Sequence, residues 1–167
     1  ITYRAAKANN ELANYYRLTP NITANNADYK TTWELFFTVI NNANKLINKA
    51  VLPEDATLAK QYEEVLGEAY FLRGLSYFYL VRMYGDVQWE NTVVLDPDAD
   101  VDVIYGTRTD RDVVMDSVMN DMNYAIDNIG TTSNKNAWSK NLALAMKSEI
   151  GLYEGTYCKY RTATATL

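Results

Sequence analysis

The sequence predicts an all-α fold. Apolar side chains recur at steps of three and four along most of the 167 residues, the spacing of one helix face. Polar clusters carrying Pro, Asn or Gly punctuate these periodic stretches, and no segment reads convincingly as a strand. The expected architecture is a bundle of about five helices, mostly antiparallel neighbours. They surround a buried central helix at about 54–84, with long loops at 17–31 and 85–108.

The first sixteen residues suggest a short helix through Ala5, Ala6, Leu12, Ala13 and Tyr16, weakened by Asn9, Asn10 and Asn14. Residues 17–31 read as loop because Pro20, Asn21, Asn25, Asn26 and Asp28 are turn formers. Thr31 or Thr32 can cap the next helix, with Glu34 favourable in its first turn. Its buried stripe is Trp33, Phe36, Phe37, Ile40, Ala43, Asn44, Ile47 and Val51, and Pro53 closes it. Asn44 stands out in that stripe. It reads as a polar residue at a helix crossing, bonded to backbone or side chain, with a ligand contact as the alternative.

The central helix carries one row of apolar or small residues at Leu58, Tyr62, Val65, Ala69, Leu72, Ser76, Tyr79 and Met83. A second row, Leu66, Tyr70, Gly74, Tyr77 and Val81, lies beside it. Between Ala69 and Tyr84 the only charges are Arg73 and Arg82, so the helix is expected to be buried nearly all round. Ala69, Gly74 and Ser76 are small enough to let other helices approach closely, and Gly85 can take the left-handed conformation that stops a helix. Glu68 and Arg73 stand five apart and point in different directions, so each is expected to pair with another helix. Asp86 is a candidate partner for Arg73.

Residues 85–108 lack helical period, and a connection this long in a compact domain is functional or mobile. Asp96, Asp98, Asp100 and Asp102 alternate through it like the start of a calcium loop, but the required Gly and the closing Glu are missing, so a solvated acidic loop is the reading. Thr109 and Asp112 approximate a capping box. The following helix buries Met115, Val118, Met119, Met122, Ile126 and Ile129, a core stripe, and Gly130 ends it. After a polar turn at 131–137, Ser139 caps a last helix with inner face Leu142, Ala145, Met146, Ile150 and Tyr153, stopped by Gly155.

The totals exclude several functions. The chain suits one helical domain, 1–167, and a net charge of −5 argues against a nucleic-acid surface. Histidine is absent, which removes the commonest general base and most zinc and haem sites. The one cysteine, Cys158, allows no internal disulfide. There is no glycine-rich phosphate loop, no CxxC and no HExxH. Catalysis and cofactors are not expected, nor is a metal. No apolar run spans a bilayer, and no signal peptide or lipobox cysteine is present; the start at Ile1 reads as a fragment of a longer protein. Tyrosine numbers 14, and an exposed aromatic ring among Asn and Asp suits sugar recognition. On that ground Tyr29, Asn26 and Trp89 are the candidate ligand contacts, whereas Arg73, Glu68, Gly85 and Trp33 are structural.

The stretch Glu68-Ala69-Tyr70-Phe71-Leu72-Arg73-Gly74, then Tyr77 to Val81, then Tyr84-Gly85-Asp86-Val87, resembles the central signature of the SusD/RagB family. Three more segments match in order: Trp33-Glu34-Leu35-Phe36 with Ile40, Ala43 and Asn44; Arg108-Thr109 with Asp121 and Ala125; and Ser139-Lys140 running to Leu152-Tyr153-Glu154-Gly155. The resemblance implies helices packed as tetratricopeptide-like hairpins. It implies a non-catalytic nutrient-binding lipoprotein, surface-exposed and lipid-anchored at the outer membrane of Bacteroidetes. Such a protein captures a ligand, typically an oligosaccharide, for import through a SusC-like TonB-dependent transporter. The alternative from the helices alone is a helical-repeat adaptor for a protein or peptide, including a peptide-capturing homologue.

Overall fold

The structure, a computed structural model, describes residues 27–91, 106–132, 134 and 136–161. Four helices account for most of them: α1 Ala27–Lys49, α2 Ala56–Tyr84, α3 Arg111–Asn128 and α4 Lys140–Arg161. Among the described residues the sole β feature is an isolated antiparallel bridge between Val87 and Thr109. The expected helix within 1–16, Asn26, the acidic run from Asp96 to Asp102 and the tail from Thr162 lie outside the described residues.

The chain divides into two compact units, residues 1–35 and 36–167. In the first, the described residues are the opening turns of α1, where Lys30 and Glu34 pair at 3.7 Å on an exposed face. The expected loop over 17–31 therefore ends earlier, because residues 27–31 are helical. A single turn former at Asp28 does not stop the helix, because once the apolar stripe downstream has nucleated it, adding a residue costs little. Thr31 and Thr32 consequently lie inside the helix and not at its N-cap position. Trp33 is half-buried.

In the second unit, successive helices run antiparallel. Phe36 stacks on Tyr79 at 5.9 Å and Phe37 meets Tyr77 edge-on at 6.3 Å, while Asn44 reaches back to Arg73. Rising numbers on α1 thus meet falling numbers on α2. The same holds for α2 and α3, where Gly67 faces Ile129 and Gly74 faces Asp121. It holds again for α3 and α4, where Arg111 meets Glu154 and Asn123 meets Lys147. The core is Phe71, Tyr77, Phe78 and Leu80 of α2 against Val114, Val118 and Met122 of α3, closed by Ile40 of α1 and by Ala143 and Ile150 of α4. Glycines seven apart put both close approaches on one face of α2: a Cβ at Gly67 would lie 2.8 Å from Ile129 Cγ1, and one at Gly74 would lie 3.0 Å from the Asp121 Cβ.

α2 is not buried all round. Its first row is exposed at the ends, with Leu58, Tyr62, Val65 and Met83 at 42–50%. Depth belongs to the second row and to Phe71, Phe78 and Leu80, because α3 crosses α2 on the face of the two glycines. α1 stops at Lys49, before Pro53, and Val51 in the connector is 81% exposed. Asp55 caps α2, its carboxylate accepting from the Leu58 N–H at 2.8 Å. Gly85 ends that helix at φ 72, donating its N–H to Val81.

The cap of α3 is Asp110, accepting from the Asp112 N–H at 2.8 Å, and not Thr109, which is taken up by the bridge to Val87. The helix closes on Ile129 in extended conformation, so Gly130 supplies no left-handed turn. Ser139 caps α4 as expected, accepting from the Leu142 N–H at 3.2 Å. α4 runs through Gly155 to Arg161. A helix-interior glycine costs only about 1 kcal/mol, and Arg111 of α3 ties the last turns by bonding Glu154 at 2.6 Å and sitting 3.6 Å over the Tyr157 ring. The inner face of α4 is accordingly Ala143, Met146, Ile150, Tyr153 and Tyr157; Leu142 and Ala145 are exposed.

Candidate ligand-binding site: a strap tied to three helices

Directly after Gly85 the chain leaves the helical ladder, so residues 86–91 must find other partners for their backbone groups. Most come from side chains. Glu90, 8% exposed, has its carbonyl bonded by Asn44 Nδ2 at 2.7 Å and by the Tyr77 hydroxyl at 3.2 Å, and its N–H donates to that hydroxyl at 2.7 Å. The Asn91 carbonyl accepts from Asn48 Nδ2 at 3.3 Å. At the near end, the Thr109 N–H donates to the Val87 carbonyl at 2.9 Å and the Trp89 N–H donates to Thr109 Oγ1 at 3.3 Å. The Asp86 carboxylate accepts from the Arg111 N–H at 3.0 Å. The result is a strap, Asp86–Asn91, laid across the helices.

Beneath the strap sits Arg73. Its guanidinium forms a two-pronged pair with Asp121 of α3, Nε to Oδ2 at 2.8 Å and Nη2 to Oδ1 at 2.7 Å. Nη1 donates to Asn44 Oδ1 at 2.9 Å, which turns the amide so that Nδ2 faces Glu90. Both charged side chains are nearly inaccessible, and Asp121 raises the Arg73 pKa further above its ordinary value, against the opposing effect of burial. In Asp86, the partner expected from sequence, the carboxylate instead accepts from the Arg111 backbone N–H and the carbonyl accepts from the Arg108 guanidinium. Burial holds the Tyr77 phenol well above its usual range, so it stays neutral and serves as both donor and acceptor.

Trp89 is half-buried on this strap. Its ring lies 4.3 Å from that of Tyr77 and 5.4 Å from the Arg73 guanidinium, which also sits 4.9 Å over Tyr70; Tyr70 in turn packs on Tyr124 at 4.1 Å. One aromatic ring with an open portion thus lies close in sequence to Gln88 and Asn91, a combination suited to a polar ligand with apolar faces. Among the described residues no group of three or more His, Cys, Asp or Glu is placed to hold a metal ion.

The sequence-derived candidates separate. Trp89 and Arg73 come together in the strap. Tyr29 belongs to the first unit and is 44% exposed, and Asn26 lies outside the described residues. Glu68 is half-buried on α2 and makes no hydrogen bond or ion pair to another helix among the described residues, contrary to expectation; burial and Glu64 both push its carboxyl upward. Of the α1 residues that line the same concavity, Val39, Ala43 and Leu46 are apolar or small, and Asn42 is the polar one. Sequence reasoning missed the role of Tyr77, which carries the same core spacing as its neighbours and so no signal of its own. Asn44 did carry one, as an amide within an apolar stripe. A second concavity, an open apolar groove of about 790 Å³ between α1 and α2, is lined by Leu46, Val51, Tyr62, Val65 and Leu66 with Lys45 and Lys49.

Fold and strap define a scaffold of antiparallel helical hairpins that presents a pinned, non-helical segment bearing an aromatic ring. The chain belongs to the SusD-like family: the family described as starch-binding and associating with the outer membrane matches residues 2–152. It is 31% identical over 147 residues, 88% of its length, to the SusD-like protein P38 of Formosa agariphila. It is also similar to a solved laminarin-binding SusD-like protein, with 28% identity, a TM-score of 0.63 and 75% of this chain covered. A SusD-like carbohydrate-binding protein of Bacteroides fragilis shares the fold at 22% identity, with a TM-score of 0.70 over 82% of this chain. The chain spans 28%, 27% and 26% of these three proteins respectively. No helix among the described residues is long and apolar enough to cross a membrane.

Proposed function

We propose that this chain is the helical scaffold of a non-catalytic binding protein that captures an oligosaccharide at the outer-membrane surface. On this reading the protein is lipid-anchored, requires no cofactor, and delivers its ligand to a SusC-like TonB-dependent transporter. The family match over residues 2–152 carries the reading. The similarity to a laminarin-binding protein supports a glycan as ligand. Trp89 is the ring offered to a sugar face; Tyr29 and Asn26 are proposed as ligand contacts from the sequence alone. Binding and release are the whole mechanism; no bond is made or broken in the ligand.

The test is isothermal titration of the complete polypeptide with laminari-oligosaccharides, alongside a glycan array. Binding that weakens in Trp89→Ala supports both the ligand class and the contact. Absence of glycan binding, with retention of a peptide, overturns it in favour of an adaptor. That second reading draws on the apolar α1–α2 groove, whose Leu46, Val65 and Leu66 would suit an amphipathic helix. Co-purification with a TonB-dependent barrel tests the transporter partnership.

A further inference from the structure

We infer that Asp121, Arg73 and Asn44 form an orienting relay whose output is the position of Trp89. It rests on the reading of Trp89 as a ligand contact. The relay has three links on three helices. Asp121 of α3 grips Arg73 of α2 with two hydrogen bonds, at 2.7 and 2.8 Å. Arg73 presents its remaining terminal nitrogen to the oxygen of Asn44 on α1, at 2.9 Å, its shorter contact, and at 3.5 Å to the Asn91 carbonyl. With its oxygen turned to Arg73, the amide necessarily turns its nitrogen the other way, and that nitrogen donates to the Glu90 carbonyl at 2.7 Å. Glu90 adjoins Trp89.

The chemistry distinguishes this arrangement from a buried ion pair that only stabilises the core. The Arg73–Asp121 pair is complete without Asn44, because the carboxylate already has both oxygens bonded. Asn44 adds a donor pointing away from the pair and toward a peptide outside any helix. The guanidinium also lies 5.4 Å from the Trp89 ring, so the centre of the relay touches the residue it positions. Tyr77 completes the grip: its hydroxyl bonds both the N–H and the carbonyl of Glu90, and its ring backs Trp89 at 4.3 Å. These are positioning residues, acting on ligand through Trp89.

Asn44→Asp separates the two roles. A carboxylate there still accepts from Arg73 but cannot donate to Glu90. In the complete polypeptide, hydrogen exchange at the Glu90 and Thr109 amides should quicken by about tenfold or more, while interior amides of α2 and α3 keep their protection. Affinity for laminari-oligosaccharides should fall by about tenfold. If Asn44→Asp does not fold, Asn44→Ala, which removes the donor to Glu90 without adding a charge beside Asp121, carries the same expectation. Unchanged exchange at Glu90 in either variant overturns the relay. A loosened strap with undiminished affinity overturns the positioning role, provided Trp89→Ala weakens binding. If Trp89→Ala itself binds normally, the ligand reading of Trp89 fails, and the positioning role falls with it.

Discussion

Arg73 and Asp121, 48 residues apart in sequence, meet side-on through two hydrogen bonds with only 6% and 5% of their side chains exposed. Removing one partner leaves the other charge buried and alone, which costs about 3–5 kcal/mol. Arg73→Ala and Asp121→Ala should each lower the urea midpoint markedly and the melting temperature by several degrees. The double variant should cost much less than the sum of the two. Additive losses in a denaturation series would refute the pairing.

A glycine at a helix crossing and a glycine facing open space should respond in opposite directions. Gly67→Ala drives a methyl to 2.8 Å from Ile129 and should destabilise by about 1–3 kcal/mol despite the gain in helix propensity. Gly151→Ala meets nothing within 4 Å and should stabilise α4 by about 0.5–1 kcal/mol. Thermal melts of both variants check the contrast, and a stabilised Gly67→Ala would contradict the close crossing of α2 and α3.

Tyr77→Phe keeps the ring and removes the hydroxyl. The Glu90 N–H then loses its acceptor inside the protein, a loss of about 1–3 kcal/mol. Hydrogen exchange localised to residues 86–91 should report it before global unfolding does.

Glu68 supplies a pH dependence. Burial, and then Glu64, raise its folded pKa above the ordinary glutamate value. The folded state therefore holds the proton at a pH where the unfolded chain has lost it. Its contribution favours folding below the unfolded pKa and is lost as pH rises through the folded one. Glu68→Gln should raise the melting temperature at pH 7, and the difference should close below about pH 4. A constant difference across that range would show that Glu68 does not titrate this way.

The helical fold was legible because periodicity alone marks α2, α3 and α4, and Ser139 and Gly85 behave as a cap and a stop should. Helix ends were less so. Asp28 reads as a turn former, and Gly155 reads as a stop, yet both lie within helices because neighbouring turns, and for α4 the grip of Arg111, outweigh a single residue's preference. Burial was legible for residues such as Tyr77 and Met122 but not for Leu58 or Val65, since period locates an apolar face without saying what covers it. The strap was the hardest part. Its bonds join Asn44, Tyr77 and Glu90 across up to 46 residues, and no local pattern encodes such pairings.

The bridge between Val87 and Thr109 brings together the two ends of a 21-residue excursion before anything in its middle is specified. Closing a chain segment whose ends are already anchored depends only weakly on its length; doubling it costs about 0.6 kcal/mol. The stem therefore fixes the exit from α2 and the entry to α3 together, and the two helices are tied there at a cost that a longer or shorter connection would change little.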